Sequence, residues 1–186
     1  MRTIMIAACV ATLLPITAGC SEKKADGSVA EQSAKPSGSL ARQLGKSARH
    51  SRVARALDET GLGGIFAGKD SYTLLAPDDR SLAGLEAAGG QARLDAAGSR
   101  AALAALLRDH ILPGTVTPKD IGAAIDKAGD GKVAMRTMGE GEIVFSRRDG
   151  AIIATTGDGA VARLGADPIT SGASAVIPIE GVLKKV

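Results

Sequence analysis

Apolar and polar positions divide this chain into regimes of different period. Arg2 precedes an almost unbroken apolar run from Ile4 to Ile16, and Ser21 to Ser39 then holds a single large apolar residue, Val29. From Leu40 to Ile125 apolar residues recur at spacings of three and four, the period of helices with one buried face. From Lys132 onward, short β-capable runs alternate with glycine-bearing turns. Helices first and strands afterwards predict an α+β domain, with N-terminal helices packed on a mostly antiparallel sheet formed largely by the C-terminal half.

Within the helical half, Leu40, Leu44, Val53 and Leu57 are expected to line one face of a helix that Gly61 ends. Tyr72 to Ala76 reads as a strand, Pro77 stops it, and Asp78 caps a helix whose inward residues are Leu82 and Leu85. Ser99 caps the next helix, Arg100 to Asp109, where Leu103, Leu106, Leu107 and His110 share a face. A histidine so placed is expected to be a hydrogen-bonded core residue rather than a ligand or catalyst. Thr117, Pro118 and Asp120 form another helix start, with Ile121 and Ile125 facing inward. Val133 to Met138, Glu142 to Ser146, Ala151 to Thr156 and Ala160 to Leu164 predict an antiparallel meander, turning at Asp149-Gly150 and Asp158-Gly159. A last strand lies within Ser171 to Leu183, where Pro178 lacks a ladder donor and implies an edge or a bulge.

The first regime has the form of a bacterial export signal: one positive charge, then an apolar segment too short to span a bilayer comfortably. It ends Ile16-Thr17-Ala18-Gly19-Cys20, which resembles a lipobox, so residues 1–19 are expected to be removed and Cys20 acylated. Ordinary secretory cleavage is the alternative. In Gram-negative lipoproteins an Asp after the cysteine usually signals inner-membrane retention, and Ser21 there favours the outer membrane. Residues 20–39 then form lipid anchor and flexible linker, too polar to bury a core, and 40–186 the folded domain. Cys9 leaves with the signal, so no disulfide or cysteine-based metal site is expected.

Two stretches carry a family resemblance. Thr73-Leu74-Leu75-Ala76-Pro77-Asp78-Asp79-Arg80-Ser81-Leu82 resembles the first signature of fasciclin-like domains, and Leu106-Leu107-Arg108-Asp109-His110-Ile111-Leu112-Pro113-Gly114 resembles the second. Asp109 stands where the family has tyrosine. The closing segment resembles the family's last strand through Ile179, Glu180, Val182 and Leu183, while Ala173, Ser174 and Ile177 occupy the family's Asn, Gly and His positions. The resemblance covers about residues 47–186. It implies helices packed on a β-wedge, and a non-enzymatic module for cell adhesion or protein and glycan contacts at the envelope. Thr73, Ala76, Pro77, Asp78, Asp79, His110, Pro113, Gly114 and Glu180 are then signature residues with a mainly structural role. Because some family members hold pigments or lipids between helices and sheet, carriage of an apolar small molecule is the alternative.

Charge adds one candidate surface. Arg42, Lys46, Arg49, Arg52 and Arg55 precede the first acid of the domain at Asp58, and could contact anionic lipid head groups beside the anchor. Nucleic acid is not an expected partner, because an exported chain with one Tyr, two Phe and no Trp lacks stacking surfaces. Catalysis is not expected either: neither of the two histidines is set beside a nucleophile, and Gly61-Leu62-Gly63-Gly64 lacks the spacing of a phosphate loop. No cofactor or metal is expected, since Asp126, Asp130 and Asp158 lack the ligand spacing of a calcium loop.

Overall fold

The computed structural model describes residues 39–87 and 100–185. The expected export segment, Cys20, the expected linker up to residue 38 and the expected cap Ser99 lie outside the described residues, and so does the side chain of Leu85; Ser39, expected to end the linker, begins the first helix. The helical half comprises α1 (Ser39–Gly45), α2 (Ser51–Thr60), a 3-10 helix (Leu62–Ala67), β1 (Tyr72–Pro77), α3 (Asp79–Ala87), α4 (Arg100–Asp109), β2 (Ile111–Pro113) and α5 (Pro118–Lys127). The strand half comprises β3 (Lys132–Arg136), β4 (Glu142–Arg148), β5 (Ala151–Thr156), β6 (Val161–Leu164), β7 (Ile169–Ser171) and β8 (Ser174–Glu180).

These strands form one sheet in the order β2-β1-β8-β6-β5-β4-β3, with β7 also paired to β8. The meander β3 to β6 is antiparallel throughout, and its β4–β5 turn places Asp149 and Gly150 at φ 51° and 76°, as a two-residue hairpin requires. The sheet curls until its ends meet. Met138, just beyond β3, donates its N–H to the Ile111 carbonyl on β2 at 2.8 Å.

The pair β1 and β8 is parallel, with Leu74 opposite Val176 and Leu75 opposite Ile177. Both faces of this pair are covered, which is why Thr73 to Pro77 is buried without alternation. Leu74, Ala76 and Val176 enter a core beneath α1, α2 and α4, while Leu75, Ile177 and Ile179 enter a second core enclosed by the sheet and α5. The capping box of Thr117 and Asp120 starts α5, and Ile121 and Ile125 seal that second core.

Two expectations require correction. The first is the single helix from Leu40 to Leu57, which is two helices, α1 and α2. At about 100° per residue, Val53 on a continuous helix would lie about 220° round from Leu40, on the opposite face. A break between Gly45 and Ser51 resets the phase, and Leu40, Leu44, Val53 and Leu57 are all fully buried. Within the break, Ser47 Oγ and His50 Nδ1 are 3.0 Å apart, and His50 is buried rather than exposed among the basic residues. The second is Pro178, which is not on an edge: β8 lies inside the sheet. Its partner changes there from β7, which pairs residues up to Val176, to β6, which pairs from Ile179. The missing donor falls at this junction, and the Pro178 carbonyl is used by Gly165 N–H at 2.8 Å.

Successive aspartates hold two helices at once. Asp78 caps α3 by accepting from Ser81 N–H at 2.8 Å. No side chain of its own caps α2 at His50; Asp79 caps it from across the fold, accepting from Arg52 N–H at 2.9 Å and Ser51 Oγ at 2.6 Å. Asp79 N–H in turn donates to the Arg49 carbonyl at 2.8 Å.

His110 performs a similar tie in the interior. Its Nδ1–H donates to the Leu106 carbonyl at 2.8 Å, and its Nε2 accepts from Leu183 N–H at 2.9 Å, which fixes the ring as one neutral tautomer. The C-terminal segment is thereby bound to α4. Burial lowers the His110 pKa to about 4, against a smaller opposing effect of the Leu106 carbonyl.

Replacing Asp79 by Ala should lower stability by about 1–2 kcal/mol, since α2 loses its cap. Urea unfolding of the full chain gives the value, and a loss below a few tenths of a kcal/mol would mean that water caps α2 equally well. Because the folded pKa of His110 is depressed below the free value of 6.5, its neutral form costs nothing above that value. Between about pH 6.5 and 4 only the unfolded chain takes up the proton, and stability falls by about 1.4 kcal/mol per pH unit, about 3 kcal/mol in all. His110→Ala should be less stable at pH 7 and should lose most of that slope. His50, whose pKa is lowered by burial and by Arg49, contributes to the slope that remains.

Candidate functional site

A cleft of about 320 Å³ opens where α4 ends, between the β3–β4 turn, the adjoining ends of β4 and β5, and the C-terminal segment at Leu183 and Lys184. Its walls are mainly apolar, with Ile143, Val144 and Leu183, and its polar groups are Asp109, Thr137, Glu142, Thr155, Thr156, Asp158 and Lys184. Such a combination of apolar walls and a few polar groups is the usual character of a binding site.

The turn that roofs it is tightly drawn. Gly139 N–H donates to the Arg108 carbonyl at 3.1 Å and Thr137 N–H to the Gly141 carbonyl at 2.8 Å. Glu140 adopts φ 66°, a left-handed conformation that costs a non-glycine residue about 1 kcal/mol. A Cβ at position 139 would collide with the Asp109 carboxylate as it stands, so a side chain there would displace it.

The two aspartates of the cleft differ. Asp158 accepts from Lys185 N–H at 3.0 Å, from Ala160 N–H at 3.2 Å and from Thr156 Oγ1, with Lys184 Nζ 3.9 Å away. Burial alone would raise its pKa, but these partners outweigh it and hold the group below the usual carboxylate range. Asp109 is half-buried at the C-terminus of α4, and among the described residues no hydrogen bond or ion pair reaches its carboxylate. Burial raises its pKa, Lys184 lowers it and Asp158 raises it, with a net upward shift.

The signature residues lie elsewhere. Thr73, fully buried, donates from Oγ1 to the Gly114 carbonyl at 2.8 Å and accepts from Val116 N–H at 2.8 Å, pinning the loop after β2. Pro113 is exposed opposite Tyr72, Ala76 and Pro77 are buried on β1, and Glu180 is exposed opposite Arg163. None of these side chains lines the cleft; His110 touches it only through Leu183.

The basic residues do not act as one patch. Arg42 is exposed on α1 and Lys46 in the turn just after it, whereas Arg49 lies 3.7 Å from Asp78 and Arg55 lies 3.5 Å from Glu59. The Arg52 side chain is half-buried. Cys20 lies outside the described residues, among which no helix is long and apolar enough to cross a membrane.

A nucleophile and a base do meet at Ser47 and His50, which the sequence reading did not anticipate. The contact is to Nδ1 of a buried ring, and Ser47 Oγ also accepts from Arg49 N–H at 3.4 Å, so the pair belongs to the turn between α1 and α2. Among the described residues no group of three or more His, Cys, Asp or Glu side chains is placed to hold a metal ion.

Between the helices and β1 there is a second cavity, lined by Val53, Ala56, Pro77, Leu82, Leu103, Leu106, Leu107 and His110. Its volume is about 10 Å³, room for about one water molecule.

Comparison with known proteins agrees with this architecture. No curated protein sequence matches the chain. Among solved structures, a FAS1 domain pair from the insect cell adhesion molecule Fasciclin I superposes with a TM-score of 0.59 at 12% identity, covering 80% of this chain and 51% of that one. The chain thus spans about half the length of that structure, and at this identity the likeness concerns the fold. The fasciclin domain model matches residues 48–185, most of the chain, and the chain belongs to the fasciclin domain family.

Proposed function

We propose that this protein is a lipid-anchored, non-enzymatic contact module of the bacterial envelope, mediating cell adhesion or protein and glycan contacts. The observation that carries the reading is a single fasciclin domain preceded by Arg2, the apolar run to Ile16, a lipobox-like Ile16 to Cys20 and a polar linker. Acylated Cys20 holds the chain in the membrane, Ser21 directs it to the outer membrane, and the linker gives the domain reach. Arg42, exposed on α1, and Lys46, exposed in the turn just after it, favour anionic head groups by about 1 kcal/mol each when the domain lies close to the surface.

Carriage of a lipid or pigment has less support. The cavity between helices and β1 would have to grow far beyond about 10 Å³.

Cells lacking the gene should lose attachment to surfaces or to neighbouring cells, and re-expression should restore it. Unchanged attachment across several conditions would sink the adhesion reading. Cys20→Ala should move the protein from the membrane to the soluble fraction and remove the acyl mass; a variant that stays membrane-bound would exclude the anchor. Native mass spectrometry of the domain released from its own membranes by linker cleavage should give the bare chain. A stoichiometric extra mass would instead establish the carrier.

A further inference from the structure

We propose that the cleft at the end of α4 receives a cationic side chain of a partner protein, an arginine whose guanidinium meets Asp109 while its alkyl stem lies along Val144 and Leu183. This rests on the reading of the domain as a contact module and names the chemistry of one contact.

Three observations support it. The cleft, at about 320 Å³, has mainly apolar walls and stands open to solvent. The Asp109 carboxylate in its lining is half-buried with no hydrogen bond or ion pair among the described residues, whereas nearby Asp158 is fully engaged. The carboxylate also sits at the C-terminus of α4, where the helix dipole adds negative potential. An acid there is unfavourable unless a cation joins it.

A guanidinium suits this environment better than an ammonium, because it is more weakly hydrated and loses less on entering apolar walls. Burial has already removed water from Asp109 and raised its pKa, so a cation gains more there than at an exposed carboxylate. The other charges facing the cleft are Glu142, exposed and of favourable sign, and Lys184, which lies 3.9 Å from Asp158 and competes.

The test is a titration of the full chain with butylguanidinium, followed by amide shifts in nuclear magnetic resonance, with butylammonium and neutral butylurea as controls. Butylguanidinium should bind with a Kd on the order of millimolar, with shifts centred on Asp109, the β3–β4 turn and Lys184. Butylammonium should bind more weakly and butylurea not at all. Asp109→Asn, which removes the charge and keeps the shape, should abolish the shifts without lowering the melting temperature. Should that variant fail to fold, Lys184→Ala decides, since removing the competing ammonium should tighten binding by on the order of threefold. Equal shifts from urea and guanidinium, or binding that survives Asp109→Asn, would overturn the proposal. Cells separate it from adhesion in general. Attachment lost on gene deletion but retained with Asp109→Asn would remove the cleft and leave the contact module standing.

Discussion

The parallel pairing of β1 with β8 is the constraint on which the rest of the domain depends. It joins residues about a hundred positions apart, Leu74 to Val176 and Leu75 to Ile177, and it is buried on both faces. One face closes the helical core and the other closes the core inside the curled sheet. A change at Leu74 is therefore felt by α1, α2 and α4, and a change at the next residue, Leu75, by α5 and the meander. Truncating either leucine falls in the class of core deletions that cost about 2–5 kcal/mol. The adjoining strand β2 extends this arrangement, with Ile111 in the helical core and Leu112 in the other.

Long-range polar ties complete what that pair begins. Asp79 caps a helix that precedes it by many residues, Thr73 pins the loop after β2, and His110 holds the C-terminal segment at Leu183. Each tie starts in or beside one of the two signature stretches and satisfies a backbone group that would otherwise lack a protein partner. This gives the signature a physical meaning. Its polar members are connectors between elements distant in sequence, and its apolar members supply the two-faced strand.

Much of this was legible because it is local. Spacing alone indicated α4 with Leu103, Leu106 and Leu107 inward, the Thr117 and Asp120 start of α5, and the meander with its Asp149-Gly150 turn. The errors came from phase and from partners. Leu44 and Val53 are out of phase on a continuous helix, and counting residues around the axis would have revealed the break. The three-residue strand β7 is too short to show a period, and the interior position of Pro178 depends on where β7 and β6 divide β8 between them. The cleft was not legible at all, since its lining comes from α4, the β3–β4 turn, β5 and the last residues of the chain. The one sequence signal was negative: Asp109 stands where the family's tyrosine would.

That departure gains weight from its surroundings. Most of the domain is locally consistent, with capped helices, glycine or aspartate at the positive-φ position of the β4–β5 turn, and satisfied buried histidine at the core of the tie between α4 and Leu183. Three unfavourable choices gather at one place instead: an acid at a helix C-terminus, half-buried without a partner, and a glutamate in left-handed conformation at Glu140 in the turn above it. Each costs stability by itself, and a tyrosine or a glycine at the respective positions would remove the cost. Local rules broken together beside an open cleft are expected where a surface is shaped by contact as well as by folding.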